Sequence, residues 1–240
     1  MHTWNATGDM LMEKNKKQRI AEKRIKIRNK KLVKKYPWII PRNVWTGKIP
    51  KDYDYSYTVW ELPRGWHKAF GQMYLEELGA AVKEAGLEND FMIYQIKEKY
   101  GSLRVYTNGV TENIHRIIDK YEHLSEDICI GCGKPDVPMI NDGWYSPWCY
   151  ECFKKNWRNR EKYVAERRHK LGEKFFPATD EEIKQAYDEC IACNDENMPN
   201  SYTVHQYING ETTTTTYDIS ETAQVIRKRW RKRYKNKENG

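Results

Sequence analysis

Four cysteines constrain this chain more than anything else in it. They stand as Cys129-Ile130-Gly131-Cys132, then sixteen residues, then Cys149-Tyr150-Glu151-Cys152. Two Cys-x-x-Cys knuckles at this separation suit one tetrahedral zinc with four thiolates at about 2.3 Å. Gly131 and Gly133 let the first knuckle bend around a metal. Pro135, Pro138, Asn141-Asp142-Gly143 and Pro147 fit a short hairpin between the knuckles. The second knuckle opens a charged helix, expected from Phe153 to about Lys174. Knuckle, hairpin, then a knuckle at a helix start is the order of a treble clef. The bland alternative is two redox or merely buried cysteine pairs. Four sulfur ligands leave zinc no open position, so the ion would be structural.

A third pair, Cys190 and Cys193, is weaker. Thr179-Asp180-Glu181-Glu182 has the form of a capping box opening a helix. On that helix Ile183, Ala186, Tyr187, Cys190 and Cys193 would share one face, an ordinary core stripe. A second metal would need two further ligands, with His169 and His205 as candidates.

The 240 residues suffice for one or two domains. No apolar run approaches the roughly 18 residues of a membrane span. The N-terminus has no apolar stretch like that of a signal peptide. Cysteine pairs in such a chain read as metal ligands in a reducing cytoplasm, and no membrane partner is expected.

Charge is unevenly spread. Residues 13–35 carry twelve Lys/Arg against Glu13 and Glu22, a local +10. Residues 221–240 carry eight against Glu221 and Glu238, a local +6. The chain totals +8, so the remainder stands at −8. Basic ends attract polyanions by counterion release. DNA or RNA is therefore the expected partner. Its expected contacts are Lys23, Arg24, Lys26, Arg28, Lys30 and Lys31 at one end, and Arg227, Arg229, Trp230, Arg231 and Arg233 at the other. The first group lies on a basic helical arm, frayed when free; the bland reading is a solvated tail with no partner.

Hydrophobic spacing predicts an α+β fold. Trp66, Phe70, Met73, Tyr74, Leu78, Ala81 and Val82 mark a helix over 65–85, with Gly86 as its stop. Phe91–Lys97 and Leu103–Tyr106 read as a hairpin around Tyr100-Gly101-Ser102. Ile114, Ile117, Ile118, Tyr121 and Leu124 mark a helix over about 112–125. The expectation is a small helix–hairpin–helix core, then a four-cysteine, treble-clef-like zinc finger, with basic helical extensions at both ends. Between Tyr36 and Pro63, prolines and aromatics suggest an extended wrapping segment whose rings pack rather than stack on bases. Asn209-Gly210 predicts a second hairpin between 201–208 and 211–217. A helix follows from about Glu221, with Ala223, Ile226, Trp230 and Tyr234 on one side. The expected domains are 1–35, 36–127, 128–175 and 176–240.

From Tyr36 to about Phe153 the chain resembles an uncharacterised family of phage and prophage proteins. The residues that carry the resemblance are Tyr36-Pro37-Trp38-Ile39-Ile40-Pro41-Arg42, Trp45-Thr46-Gly47-Lys48, Asp52-Tyr53-Asp54-Tyr55-Ser56-Tyr57-Thr58, Gly65-Trp66, Gln95 to Arg104, Gly143-Trp144 and the paired cysteines. The resemblance implies a viral setting, in the cytoplasm of an infected or lysogenic bacterium, and no mechanism.

Catalytic patterns are missing. There is no His-Glu-x-x-His, no phosphate loop ending Gly-Lys-Ser/Thr, and no histidine in 133–148 for a His-Asn-His nuclease. Trp148 separates Pro147 from Cys149, which departs from the zinc deaminase pattern. Lys97-Glu98-Lys99-Tyr100 and Arg104 could serve a site, although charged hairpin edges are usually solvated. Three functions remain: a nucleic-acid binder, a phage protein that binds a host defence or transcription component, and an enzyme with an unrecognised site.

Overall fold

The computed structural model describes residues 6–193, 199–208 and 211–235. Helices and short antiparallel strands alternate in an α+β arrangement. In chain order they are α1 (Ala6–Lys35), a 3₁₀ turn (Pro37–Ile39), α2 (Arg64–Trp66), a π turn (His67–Gly71), α3 (Gln72–Glu84), β1 (Ile93–Lys99), β2 (Ser102–Thr107) and α4 (Glu112–Ser125). Then come β3 (Met139–Asn141), β4 (Tyr145–Pro147), α5 (Tyr150–Lys170), α6 (Asp180–Glu189), β5 (Ile191–Cys193), β6 (Ser201–Ile208), β7 (Glu211–Asp218) and α7 (Ser220–Lys235). The sheets are β1-β2, β4-β3-β5 and β6-β7. The chain forms two compact units.

The first unit comprises Met1–Glu61, Gly79–Ile96 and Val105–Thr111. Pro37 starts the 3₁₀ turn that buries Trp38 and Ile39. Trp38 meets Trp60 and Phe91 edge-on, with ring centroids 6.0 and 5.3 Å away. Aromatic packing is thus the main use of the 36–63 segment, with Trp45 as the outlier at 93% exposure. The later turns of α1 pack within this unit. Asn29 is buried and donates from Nδ2 to the Tyr55 carbonyl at 2.8 Å. The α3 helix closes on paired bonds, Gly86 N–H to Lys83 O and Leu87 N–H to Val82 O, both 3.0 Å, which satisfy its last carbonyls.

The second unit comprises Leu62–Leu78, Lys97–Arg104 and Glu112–Gly240. Ile114, Ile118, Tyr121 and Leu124 bury one stripe of α4, as expected of an amphipathic helix. Trp66, Phe70, Tyr121 and Tyr74 form a run of ring contacts at 6.5, 5.3 and 4.3 Å. The Tyr121 hydroxyl donates to Glu77, which also pairs with Lys120.

Two elements differ from expectation. The α5 helix ends at Lys170 rather than near Lys174, because Leu171 and Gly172 fold back onto the Arg168 and His169 carbonyls. The α6 helix has its capping box, Thr179 with Glu182, but stops at Glu189. The single helical stripe expected to run on to Cys193 is therefore broken. Residues 191–193 instead pair with β3, Ile191 opposite Ile140, so a sheet edge takes the backbone that a longer helix would have used. The β6-β7 register runs from Ser201↔Asp218 to Ile208↔Glu211. The Asn209-Gly210 turn lies outside the described residues.

Candidate metal centre

The first knuckle is a tight backbone turn. Gly133 N–H donates to Cys129 O, and Cys129 N–H donates to Lys134 O, both at 2.8 Å. Ile128 bridges Pro135 across its base. The β3-β4 hairpin follows, in the register Met139↔Pro147 and Asn141↔Tyr145. It returns the chain to Cys149, the N-cap of α5. Cys152 lies in the first turn of that helix. Ile130 N–H donates to Pro147 O at 2.9 Å and ties the knuckles together. Gly131 is required there, since a Cβ would fall 2.8 Å from the Trp148 ring and 3.1 Å from the Cys152 sulfur.

The four ligand sulfurs of Cys129, Cys132, Cys149 and Cys152 all lie within 4.8 Å of one another. Cys132 Sγ and Cys149 Sγ are 3.6 Å apart, close to the separation of about 3.8 Å that a zinc–thiolate tetrahedron requires. Cys129 and Cys149 are buried, and the other two are half-buried. Hydrogen bonds from the other three thiols pull the Cys129 thiol down. The same contacts, with burial, push Cys149 and Cys152 up. Cys132 is also pulled down, its opposing contact with Cys129 outweighed by hydrogen bonds from Cys149 and Cys152, so the cluster divides into two lowered and two raised thiols. Four thiolates this close need a cation among them. The donor set fits one metal ion, and its all-sulfur chemistry is consistent with zinc.

Two neighbours hold this cluster in place. On one side α2 is keyed to the first knuckle. Gly65 N–H donates to Ile130 O, and Trp66 Nε1 donates to Ile128 O, both at 2.8 Å. A Cβ on Gly65 would sit 2.0 Å from Cys129 O, so only glycine permits the approach. On the other side Ile140, Phe153, Ile183 and Tyr187 form a small core, and the Tyr187 hydroxyl donates to Trp148 O at 2.8 Å. Asp180 holds α6 to α5 through Lys154 and Arg158. None of these supports is visible as a motif; only the glycine at 65 beside a tryptophan hints at one.

Cys190 packs against that small core as a half-buried thiol, and burial raises its pKa. The side chains of Cys193 and His205 lie outside the described residues. Among the described residues no second group of His, Cys, Asp or Glu comes together as a metal site, and no helix is long and apolar enough to cross a membrane.

The expected nucleic-acid contacts are divided between the units. On α1, Lys23, Arg24, Arg28, Lys30 and Lys31 are exposed, whereas Lys26 is half-buried. Lys26 pairs with Asp54, holding that carboxyl well below its usual range. Lys30 Nζ lies 5.3 Å from the Tyr55 ring centroid, and Arg28 reaches Asn29 Oδ1 at 3.2 Å. On α7, Ala223 and Ile226 are buried and Trp230 is half-buried, while Arg229, Arg231 and Arg233 are exposed. Arg227 instead grips Asp136. Compared with known proteins, the chain matches no family model, no curated protein and no solved structure.

Proposed function

We propose that this is a zinc-stabilised, phage-type protein that binds nucleic acid through its two basic helices. The observation that carries the reading is α7. Its Ala223 and Ile226 are buried in the fold while Lys228, Arg229, Arg231, Lys232 and Arg233 all remain exposed. A helix already fixed by its apolar side presents a row of cations to phosphate without a large ordering cost. The exposed Lys23, Arg24, Arg28, Lys30 and Lys31 of α1 add a second basic surface. The knuckle, the β3-β4 hairpin and the knuckle opening α5 support a treble-clef reading of the finger. Zinc held by Cys129, Cys132, Cys149 and Cys152 would supply folding energy and leave no coordination position for a substrate. The family resemblance supplies the phage setting and the bacterial cytoplasm.

The test is the salt dependence of binding to DNA and RNA. Log affinity should fall linearly with log salt. Because α1 contributes Asn29 to the packing of its unit, charge reversal is a cleaner probe than truncation. Arg229→Glu, Arg231→Glu and Arg233→Glu should each flatten the slope by about one phosphate contact. Salt-independent affinity, or slopes unchanged in all three variants, would sink the reading.

One observation favours a protein partner as the second reading. Tyr163, Leu171 and Phe176 are 68%, 67% and 82% exposed around the end of α5. Apolar surface of this kind suits docking of a host protein. Phe176→Asp should then abolish capture of that protein and leave nucleic-acid affinity unchanged.

A further inference from the structure

Two hairpin tips far apart in sequence meet at one carboxylate. Glu98 Oε1 accepts from the Gly101 amide at 2.6 Å, across the turn between β1 and β2. The same carboxylate accepts from the Trp144 indole Nε1, 3.3 Å from Oε1 and 3.1 Å from Oε2, though Trp144 lies 46 residues further along the chain. The indole then stacks on Tyr100, with ring centroids 5.5 Å apart and planes inclined by 27°. Lys99 Nζ stands 5.3 Å from the Tyr100 ring centroid.

Simple packing does not account for this arrangement. A ring pair that only latched two hairpins would bury its area, yet Tyr100 is 61% and Trp144 51% exposed. Tyr100 also has φ 53°, in the left-handed region that a two-residue hairpin turn reserves for Asn, Asp or Gly. An aromatic residue held there is strained, and such strain gathers at functional positions. The indole's one polar atom is fixed by Glu98, so the ring is oriented before any partner arrives. Glu98 is occupied by two donors, and exposed Lys99 provides a cation beside the rings.

We infer that Tyr100 and Trp144 form a stacking platform for an unpaired nucleobase of single-stranded nucleic acid, with Lys99 placed for the adjoining phosphate. Flat, pre-oriented π faces beside a cation match the base–phosphate repeat of a single strand. A duplex keeps its bases stacked inside and cannot use them. The inference rests on the nucleic-acid reading, but it draws on residues outside α1 and α7 and adds a preference for single strands.

The experiment uses the full, zinc-replete chain and measures fluorescence anisotropy with labelled oligothymidylate of about 20 nucleotides and a duplex of equal length. Trp144→Ala and Tyr100→Gly should each weaken single-strand binding by about tenfold or more and change duplex binding by less than about twofold. Trp144→Phe, which keeps a stacking face, should recover part of the loss. Tyr100→Gly relieves the turn, so its thermal midpoint should hold or rise while its affinity falls. Photo-crosslinking to an iododeoxyuridine-substituted strand should map to Tyr100 or Trp144. If wild type binds single strands with a steep salt slope and neither variant loses affinity, the platform is overturned and the basic-helix reading stands. If wild type binds neither strand form at low salt, both fall. If a proline-rich peptide broadens the Trp144 indole signal and the oligonucleotide does not, the platform belongs to a protein ligand and the inference is overturned.

Discussion

Arg227 forks onto Asp136, with Nε 3.1 Å from both carboxylate oxygens and one terminal nitrogen 2.8 Å from Oδ1. Their side chains are only 18% and 29% exposed. The pair fixes the middle of α7 to the loop that follows the first cysteine knuckle. Asp136→Asn retains a side chain that tolerates the left-handed backbone at this position, φ 56°, and removes only the charge. It should cost about 2 kcal/mol in denaturant unfolding. A double-mutant cycle with Arg227→Gln should return most of that as coupling. Additive losses would mean that the fork contributes nothing. Arg227→Gln should also change the salt slope of nucleic-acid binding less than Arg231→Gln does.

Gly65→Ala should be among the most damaging single substitutions. The added methyl meets the Cys129 carbonyl at 2.0 Å, and a backbone atom cannot swing aside as a side chain can. A loss of about 3 kcal/mol is expected, together with weaker metal retention, since the carbonyl belongs to a ligand residue. Thermal unfolding and retained metal after dialysis check this. A variant as stable as wild type would contradict the keyed contact between α2 and the knuckle.

Purified protein should contain one zinc per chain by elemental analysis. Cys149→Ser should remove it and loosen the start of α5, lowering helical circular dichroism, because metal binding here is folding energy. Cys190→Ala should leave metal content unchanged. A stoichiometry of two that drops on Cys190→Ala would restore a second site.

Metal loading should release protons. Hydrogen bonding with Cys129 and burial raise the Cys149 and Cys152 thiols, so at neutral pH the metal-free cluster still holds protons that the metal must displace. Apparent affinity therefore rises with pH and falls on acidification. Titration calorimetry in buffers of different ionisation heat should show net proton release. An exchange of zero protons would mean that the thiols are already ionised before the metal arrives.

Local features were legible wherever one element's own residues decide its state. The α4 stripe follows from the spacing of Ile114, Ile118, Tyr121 and Leu124. The α6 start follows from Thr179 and Glu182 bonding to each other's backbone. The Cys-x-x-Cys spacing brings out the set of four sulfurs, because a knuckle is a local turn. The end of α6 was not legible. Whether Cys193 continues a helix or joins a strand depends on the open edge of β3, a property of residues some fifty positions away.

Aromatic and basic residues show the same division. Composition alone places rings and cations in the chain and does not say which are used up. Trp38 and Trp45 look alike in sequence, yet one lies at the centre of a packed unit and the other stands on an exposed turn. Lys26 and Arg227 read as phosphate contacts, yet carboxylates at Asp54 and Asp136 hold them. Tyr100 and Trp144 stack where Glu98 bonds both hairpin tips. By itself the sequence determined the spacing of the thiols, the helix starts and the sign of charge at each end, since these depend on neighbours within a few residues. Tertiary structure alone decided which cations stay exposed, which rings face solvent and what braces the cysteine cluster, since each of those depends on a partner that only folding brings within reach.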